Sequence, residues 1–212
     1  RRAIPGEKII SLDEKEHKLN KNNLLITSGN EPIALAGIIG GLTSSVSYKT
    51  NSILIESAYF NPVTIRKSAK SLFLSTEASK RYERGVDPNG CLKAFNHVAS
   101  LIRDVAGGEL VSDIVDNYPK IITSKTVSLR RSEIDLVLGN HFDDKIINEI
   151  LENLEFQYTF EDEKWECVIP TFRPDIEREI DIIEEIARIA GFNAIPSDEN
   201  IYGTFKHQHP DP

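Results

Sequence analysis

The 212-residue sequence contains no methionine, two cysteines and one tryptophan, and no apolar run approaches the roughly 20 residues of a membrane-spanning helix. Each shortage excludes something. Cys91 and Cys167 lie far apart, with no CxxC and no Cys/His ligand spacing, which argues against a zinc site or a disulfide framework and fits a reducing cytoplasm. The apolar run after RRAIPG is too short for a secretory signal. Because Met is missing even at position 1, we expect a piece of a longer protein. The glycines at 37, 40 and 41 make neither a GxGxxG nor a P-loop, since no GK[ST] follows them. No Ser-His-Asp or Cys-His arrangement is legible, His97 reads as a packed or solvated helix residue, and His207 and His209 lack ligand partners, so no metal is expected.

What is present is ordinary for a soluble protein: 40% hydrophobic and 27% charged residues, in a chain long enough for two small cores. The net charge of −8 argues against non-specific coating of nucleic acid. Locally the balance reverses. Between positions 61 and 88, Arg66, Lys67, Lys70, Lys80, Arg81 and Arg84 face only Glu77, Glu83 and Asp87, enough to hold a few phosphates.

Most of the residues that suggest chemistry fall between 52 and 88. SILIESA alternates as a strand does and carries Glu56 near its end. Asn61-Pro62 is a cap-and-first-turn pair that opens a helix running to about 72. Thr76 caps a second, shorter helix, Glu77 sits in its first turn, and Gly85 supplies a left-handed stop. Upstream, EKIISLD and NLLIT read as strands joined by a charged connection at 14–18 and an Asn-rich turn at 20–23. PIALAGIIGG reads as one strand buried on both faces, with its Gly-Gly pair either a turn or a close approach to a ligand. Residues 89–106 form a core helix by apolar spacing, and GELVSDIVDNYP an edge strand ending at Pro119.

The pattern then restarts: a strand at 126–129, helices at 132–138 and 143–154, strands FQYTF and WECVI, and a last helix over about 175–190. The fold class expected is α+β, a mixed or antiparallel sheet domain with packed helices over 1–120, then a smaller α+β domain over 121–197, with a linker at 198–212.

AGIIGG, IESAYFNPVTIRKSAKSL and STEASKRYERGVDP resemble the B3/B4 editing module of the bacterial phenylalanine–tRNA ligase beta subunit. VSLRRSEIDLVLG, IPTFRPDIEREIDIIEEIARIAGF and Ile195-Pro196 are similar to the B5 domain that follows it there. The resemblance implies hydrolysis of tyrosine wrongly attached to the phenylalanine tRNA. A pocket for phenylalanine rejects an added hydroxyl poorly, so a second site that rewards the hydroxyl is useful. By resemblance Glu56 accepts the phenol hydrogen bond, although the residues alone favour an exposed strand carboxylate. Thr76 and Ala78 match the Thr-x-Ala of the editing pocket, Thr76 positioning the ester or its water and Ala78 leaving room for the ring. Gly40 resembles the glycine facing the substrate backbone, and Lys80, Arg81 and Arg84 are candidates for tRNA phosphates.

The resemblance also implies tRNA, an alpha subunit and a second beta subunit as partners in a heterotetramer, with ATP and magnesium used by the holoenzyme outside this stretch. Three departures are visible. The family's upstream pocket histidine has no counterpart, since His17 stands in another context. Its Gly-Leu before Thr-x-Ala is Phe73-Leu74 here, a change expected to narrow or reshape the pocket, and its Leu-Gly-Phe is Leu154-Glu155-Phe156, expected at the surface. Two other readings stand beside editing. One is a non-catalytic scaffold that docks RNA and neighbouring subunits, although the acidic last helix repels phosphate. The other, a free-standing RNA-binding protein, fits the net charge badly.

Overall fold

A computed structural model describes residues 1–196, in which the chain is an α+β protein of two units. The linker expected at 198–212, with His207 and His209, lies outside the described residues. The first unit comprises Arg1–Ser124 and also Pro170–Asp175, and the second comprises Lys125–Ile169 and the chain from Ile176.

In the first unit β1 (Lys8–Ile10) pairs antiparallel with β2 (Glu16–Lys18), so part of the charged stretch expected as a connection is a strand. Its side chains remain polar because only Ile9 of β1 is buried. The strands β3 (Leu25–Ser28), β4 (Glu31–Leu35) and β5 (Ile39–Gly40) form an antiparallel sheet in that order. PIALAGIIGG is therefore not one strand. It folds back at Gly37, whose φ of +67° suits glycine, and Ile38 N–H donates to the Leu35 carbonyl across the turn. A continuous apolar run fixes burial but not whether the chain reverses within it.

Helix α1 (Pro62–Ser71) begins as the sequence predicts, with Asn61 Oδ1 accepting from Thr64 N at 3.0 Å and proline in the first turn. It is pinned to the 20–23 turn by buried Asn23, whose Nδ2 donates to Ser68 Oγ at 2.9 Å and Ser71 Oγ at 3.2 Å. Leu19, Leu25, Leu35, Ile38, Ile65 and Ala69 form the core between helix and strands.

Two expected strands are absent. SILIESA and GELVSDIVDNYP adopt no regular structure, and the backbone over 52–60 and 108–121 makes no backbone–backbone hydrogen bond among the described residues. Much of both stretches is exposed, Leu54 to 95% and Val115 to 93%. Alternation makes a segment fit to be a strand, but a strand exists only when a neighbour supplies the ladder. Helix α3 (Cys91–Ala106) forms where expected, after a 3₁₀ turn at Pro88–Gly90, yet none of its residues is buried, so it is not a core helix among the described residues.

The second unit is built on the antiparallel sheet β6 (Lys125–Arg130), β8 (Lys164–Ile169) and β7 (Gln157–Glu161), with β8 central. Against it pack α4 (Arg131–Leu138), α5 (Asp144–Asn153) and α6 (Glu179–Ala190). The core contains Leu129, Ile134, Ile147, Leu151, Trp165 and Ile183. Trp165 donates its indole N–H to Asn148 Oδ1 at 2.8 Å, stacks on Phe160 and lies under the Arg131 guanidinium. Helix α6 starts at Glu179 rather than near 175, because the Asp181 carboxylate accepts from the Glu177 and Arg178 amides and fixes the first turn there.

Candidate functional site

The short helix α2 (Glu77–Tyr82) is held at its start by a reciprocal pair of hydrogen bonds. Thr76 Oγ1 accepts from Ser79 N at 3.0 Å, and Ser79 Oγ accepts from Thr76 N at 2.9 Å. The Thr76 hydroxyl has a third contact that the cap alone does not require: it donates to the Ile38 carbonyl at 2.7 Å. One side chain thus ties α2 to the turn between β4 and β5. That turn is closely covered. A Cβ on Gly37 would stand 3.0 Å from Phe60, 3.1 Å from Ile65 and 3.3 Å from Tyr82.

Tyr82 lies one turn beyond Ala78, on the same side of α2. Its ring meets Phe60 at 5.2 Å with the planes tilted 55°, and its hydroxyl donates to the Ala58 carbonyl at 3.2 Å. Burial and the nearby Glu56 carboxylate raise its phenol pKa. Glu56 thus acts electrostatically on Tyr82, in the helix that Thr76 caps and that carries Ala78. The side chain of Glu56 is exposed, while protein atoms packed around its carboxyl displace enough water to push its pKa above the ordinary carboxylate value. Ala78 is exposed and Thr76 half-buried.

The remaining predicted residues are placed differently. Gly40 sits in β5 under Leu12, whose Cδ1 would lie 3.1 Å from an added Cβ. Lys80, Arg81 and Arg84 line an open cleft of about 410 Å³ together with Glu77, Gly85 and Val86. Glu56, Thr76, Ala78 and Gly40 do not line it. Within the cleft Lys80 and Arg81 both pair with Glu77, at 2.9 and 3.4 Å, which lowers the carboxyl pKa of Glu77. His17 is occupied elsewhere, its Nε2 2.8 Å from the buried Ser11 hydroxyl, which donates to Asp13. No three His, Cys, Asp or Glu side chains come together as a metal site among the described residues.

Two of the three departures from the family pattern fall at one kind of place. Phe73 has φ +54° and Glu155 has φ +60°, the left-handed region that glycine fills without strain. Phe73 is 97% exposed, so instead of narrowing a pocket its ring stands in solvent. Sequence reasoning missed Tyr82 and Ser57. A tyrosine one turn after Ala78 and a serine next to Glu56 were the available signals, but neither residue type is distinctive without the fold.

A second group was also missed. Asp87 Oδ1 accepts from Asn89 N at 3.0 Å and from Thr171 Oγ1 at 2.6 Å, and Asn89 Nδ2 donates to Thr171 Oγ1 at 3.1 Å. Tyr118 completes the cluster by donating to Asn89 Oδ1 at 3.1 Å. The VDPN and PTFRPD stretches thus meet as structural partners within the first unit.

Residues 1–107 match the B3/4 domain and residues 127–192 the tRNA synthetase B5 domain. The phenylalanine–tRNA ligase beta subunit of Thermotoga maritima is 45% identical over 92% of this chain and 24% of its own length. That of Syntrophus aciditrophicus is 44% identical over 92% of this chain and 25% of its own length. The chain thus spans about a quarter of the length of these relatives. A crystal structure of an N-terminal fragment of the phenylalanyl-tRNA synthetase beta subunit from Pyrococcus horikoshii is 25% identical, covers 32% of this chain and 20% of that one, and gives a TM-score of 0.30.

Proposed function

Because the chain belongs to the B3/4 domain family and carries a B5 domain behind it, as part of a phenylalanine–tRNA ligase beta subunit, we propose that its first unit hydrolyses tyrosine misattached to the phenylalanine tRNA. The observation that supports this reading is the electrostatic influence of Glu56, whose carboxyl pKa is raised by desolvation, on Tyr82 of the helix that Thr76 caps and that carries Ala78. A phenol donating to it replaces the missing hydration. A phenyl ring leaves it unpaired, which is how a hydroxyl is rewarded over its absence. Exposed Ala78 leaves space for the ring, and by family resemblance Gly40 is assigned to the substrate backbone.

The chemistry asked of the site is modest. Water attacks the ester carbonyl, the carbon–oxygen bond to the terminal ribose breaks, free tyrosine leaves, and the ribose oxygen takes up a proton. Thr76 contributes by position, since its hydroxyl already donates to Ile38 and accepts from Ser79. Lys80, Arg81 and Arg84 hold tRNA phosphates in the cleft they line, where three cations face one carboxylate. The tRNA, an alpha subunit and a second beta subunit are the partners of the whole ligase, whose ATP and magnesium bind outside the described residues. The setting is the cytoplasm, and among the described residues no helix is long and apolar enough to cross a membrane.

The committed hydroxyl of Thr76 favours a second reading, in which this stretch is a non-catalytic scaffold that docks RNA. One assay separates them: hydrolysis of tyrosyl-tRNA for phenylalanine by the whole ligase, wild type against Glu56→Ala. Editing predicts loss of the preference for the tyrosyl over the phenylalanyl ester. Equal preference in both proteins removes Glu56 from the reaction.

A further inference from the structure

A carboxylate that selects by accepting one hydrogen bond must be held still, and Glu56 stands on a stretch with no ladder to hold it. Over 52–60 the backbone makes no backbone–backbone hydrogen bond among the described residues. On the N-terminal side of Glu56, Ile53 is 49% and Leu54 95% exposed. On the C-terminal side two side-chain hydrogen bonds begin at once. Ser57 Oγ donates to the Cys91 carbonyl at 2.8 Å, and Tyr82 donates to the Ala58 carbonyl at 3.2 Å. The Tyr82 ring is fixed in turn by Phe60 and by the covered turn at Gly37, and the Cys91 carbonyl lies at the head of α3.

Resting on the assignment of Glu56 as the reader of the phenol, we infer that Ser57 and Tyr82 are positioning residues that hold Glu56 for tyrosine recognition. Neither needs to touch the substrate. Together they anchor residues 57 and 58 to two different helices, so the carboxylate one residue upstream is restrained in both direction and depth. A single hydrogen bond of this kind is worth roughly two- to tenfold in an equilibrium.

The test uses the whole ligase with tyrosyl and phenylalanyl esters of the phenylalanine tRNA, comparing wild type, Glu56→Ala, Tyr82→Phe, Ser57→Ala, Ser57→Thr and the Tyr82→Phe/Ser57→Ala double variant. Tyr82→Phe keeps the ring packing, so the melting temperature is expected to hold while the tyrosine preference falls roughly three- to tenfold. Ser57→Ala is expected to do the same, Ser57→Thr to restore the preference by returning the hydroxyl, and the double variant to fall further. A pH profile gives a readout that mere loss of packing does not move. Cutting the tethers lets water reach Glu56, so the acid limb of the tyrosine preference shifts to lower pH, toward an ordinary carboxylate.

If Glu56→Ala abolishes the preference while the double variant keeps both it and the wild-type acid limb, the tethers do not position Glu56 and the inference fails alone. If Glu56→Ala leaves the preference intact, the reading of Glu56 fails and takes the inference with it.

Discussion

Helices α1 and α5 end in the same way, and in both the ending is made by an unsuitable residue. After α1, Phe73 N–H donates to the Lys70 carbonyl at 3.3 Å and Leu74 N–H to the Ala69 carbonyl at 3.0 Å. After α5, Glu155 N–H donates to the Glu152 carbonyl and Phe156 N–H to the Leu151 carbonyl, each at 2.9 Å. These paired bonds satisfy carbonyls that a helix end leaves open, and they require a left-handed residue at the turn, normally glycine. A residue with a Cβ costs roughly 1–2 kcal/mol in that conformation. Glycine gives back roughly 0.5–1 kcal/mol through the greater freedom of its unfolded chain. Glu155→Gly is therefore expected to stabilise the second unit by about 0.5–1 kcal/mol, since Glu155 is exposed and Phe156 and Leu151 stay packed in the core. Urea unfolding followed by Trp165, the single tryptophan and fully buried in that unit, reads the change directly. Glu155→Ala, which keeps the Cβ, serves as the control and should gain nothing. A Glu155→Gly midpoint equal to or below wild type, or a gain shared by Glu155→Ala, would refute the reasoning. Phe73→Gly should behave likewise in the first unit, followed by circular dichroism.

Three further outcomes are expected. Thr76→Ala removes both the cap of α2 and the donor to Ile38, and should cost the first unit about 2 kcal/mol in denaturant unfolding, whereas Thr76→Ser keeps both bonds and most of the stability; equal losses in the two would contradict the assignment. Gly85 has φ +99° and would place a Cβ 2.7 Å from Pro174 Cγ, so Gly85→Ala should cost about 2–4 kcal/mol, and a melt unchanged from wild type would show that the neighbouring chain yields freely. Arg1 and the Ile4 amide hold the Glu7 carboxyl at about 2, while Ser11 and Lys15 hold Asp13 at about 2. Both lie below their unfolded values, so their contribution to stability is complete above the unfolded values, near 4, and is lost as pH falls toward 2. Glu56, raised by desolvation, has the opposite sign and favours the folded state more as it gains a proton on acidification. Carboxyl NMR titrations check all three, and Glu7 and Asp13 midpoints near 4 would refute the first part.

Local signals carried the helices well. Asn61-Pro62 and Thr76 cap where their side-chain chemistry demands, and α5 and α6 turn Ile147, Ile150, Leu151, Ile183 and Ile186 to the core. The hairpin of β7 and β8 was also legible, because its strands are adjacent in sequence and its acidic turn at Asp162 and Glu163 takes positive φ. What failed was non-local. Residues 52–58 and 108–119 read as strands, yet pairing depends on a neighbour the pattern does not name. In α3 the apolar spacing was correct for a helix and silent about whether anything would cover it. For the candidate site, the sequence supplied Glu56 and Thr76 but not the hydroxyls of Ser57 and Tyr82, since tethering is a property of distances. The αL backbone at Phe73 and Glu155 was equally hidden: the absence of glycine was visible, but not the conformation that makes it matter.

The return of Pro170–Asp175 to the first unit changes what counts as a separable piece. The chain visits that unit twice, so no single cut divides it cleanly. A protein ending at Ser124 would keep α1, α2 and α3 but would lose Thr171, leaving Asp87 without its 2.6 Å partner and Gly85 without the proline ring beside it. Dissection at the junction before β6 therefore trims the stretch that follows α2, and recombinant halves would inherit defects belonging to neither.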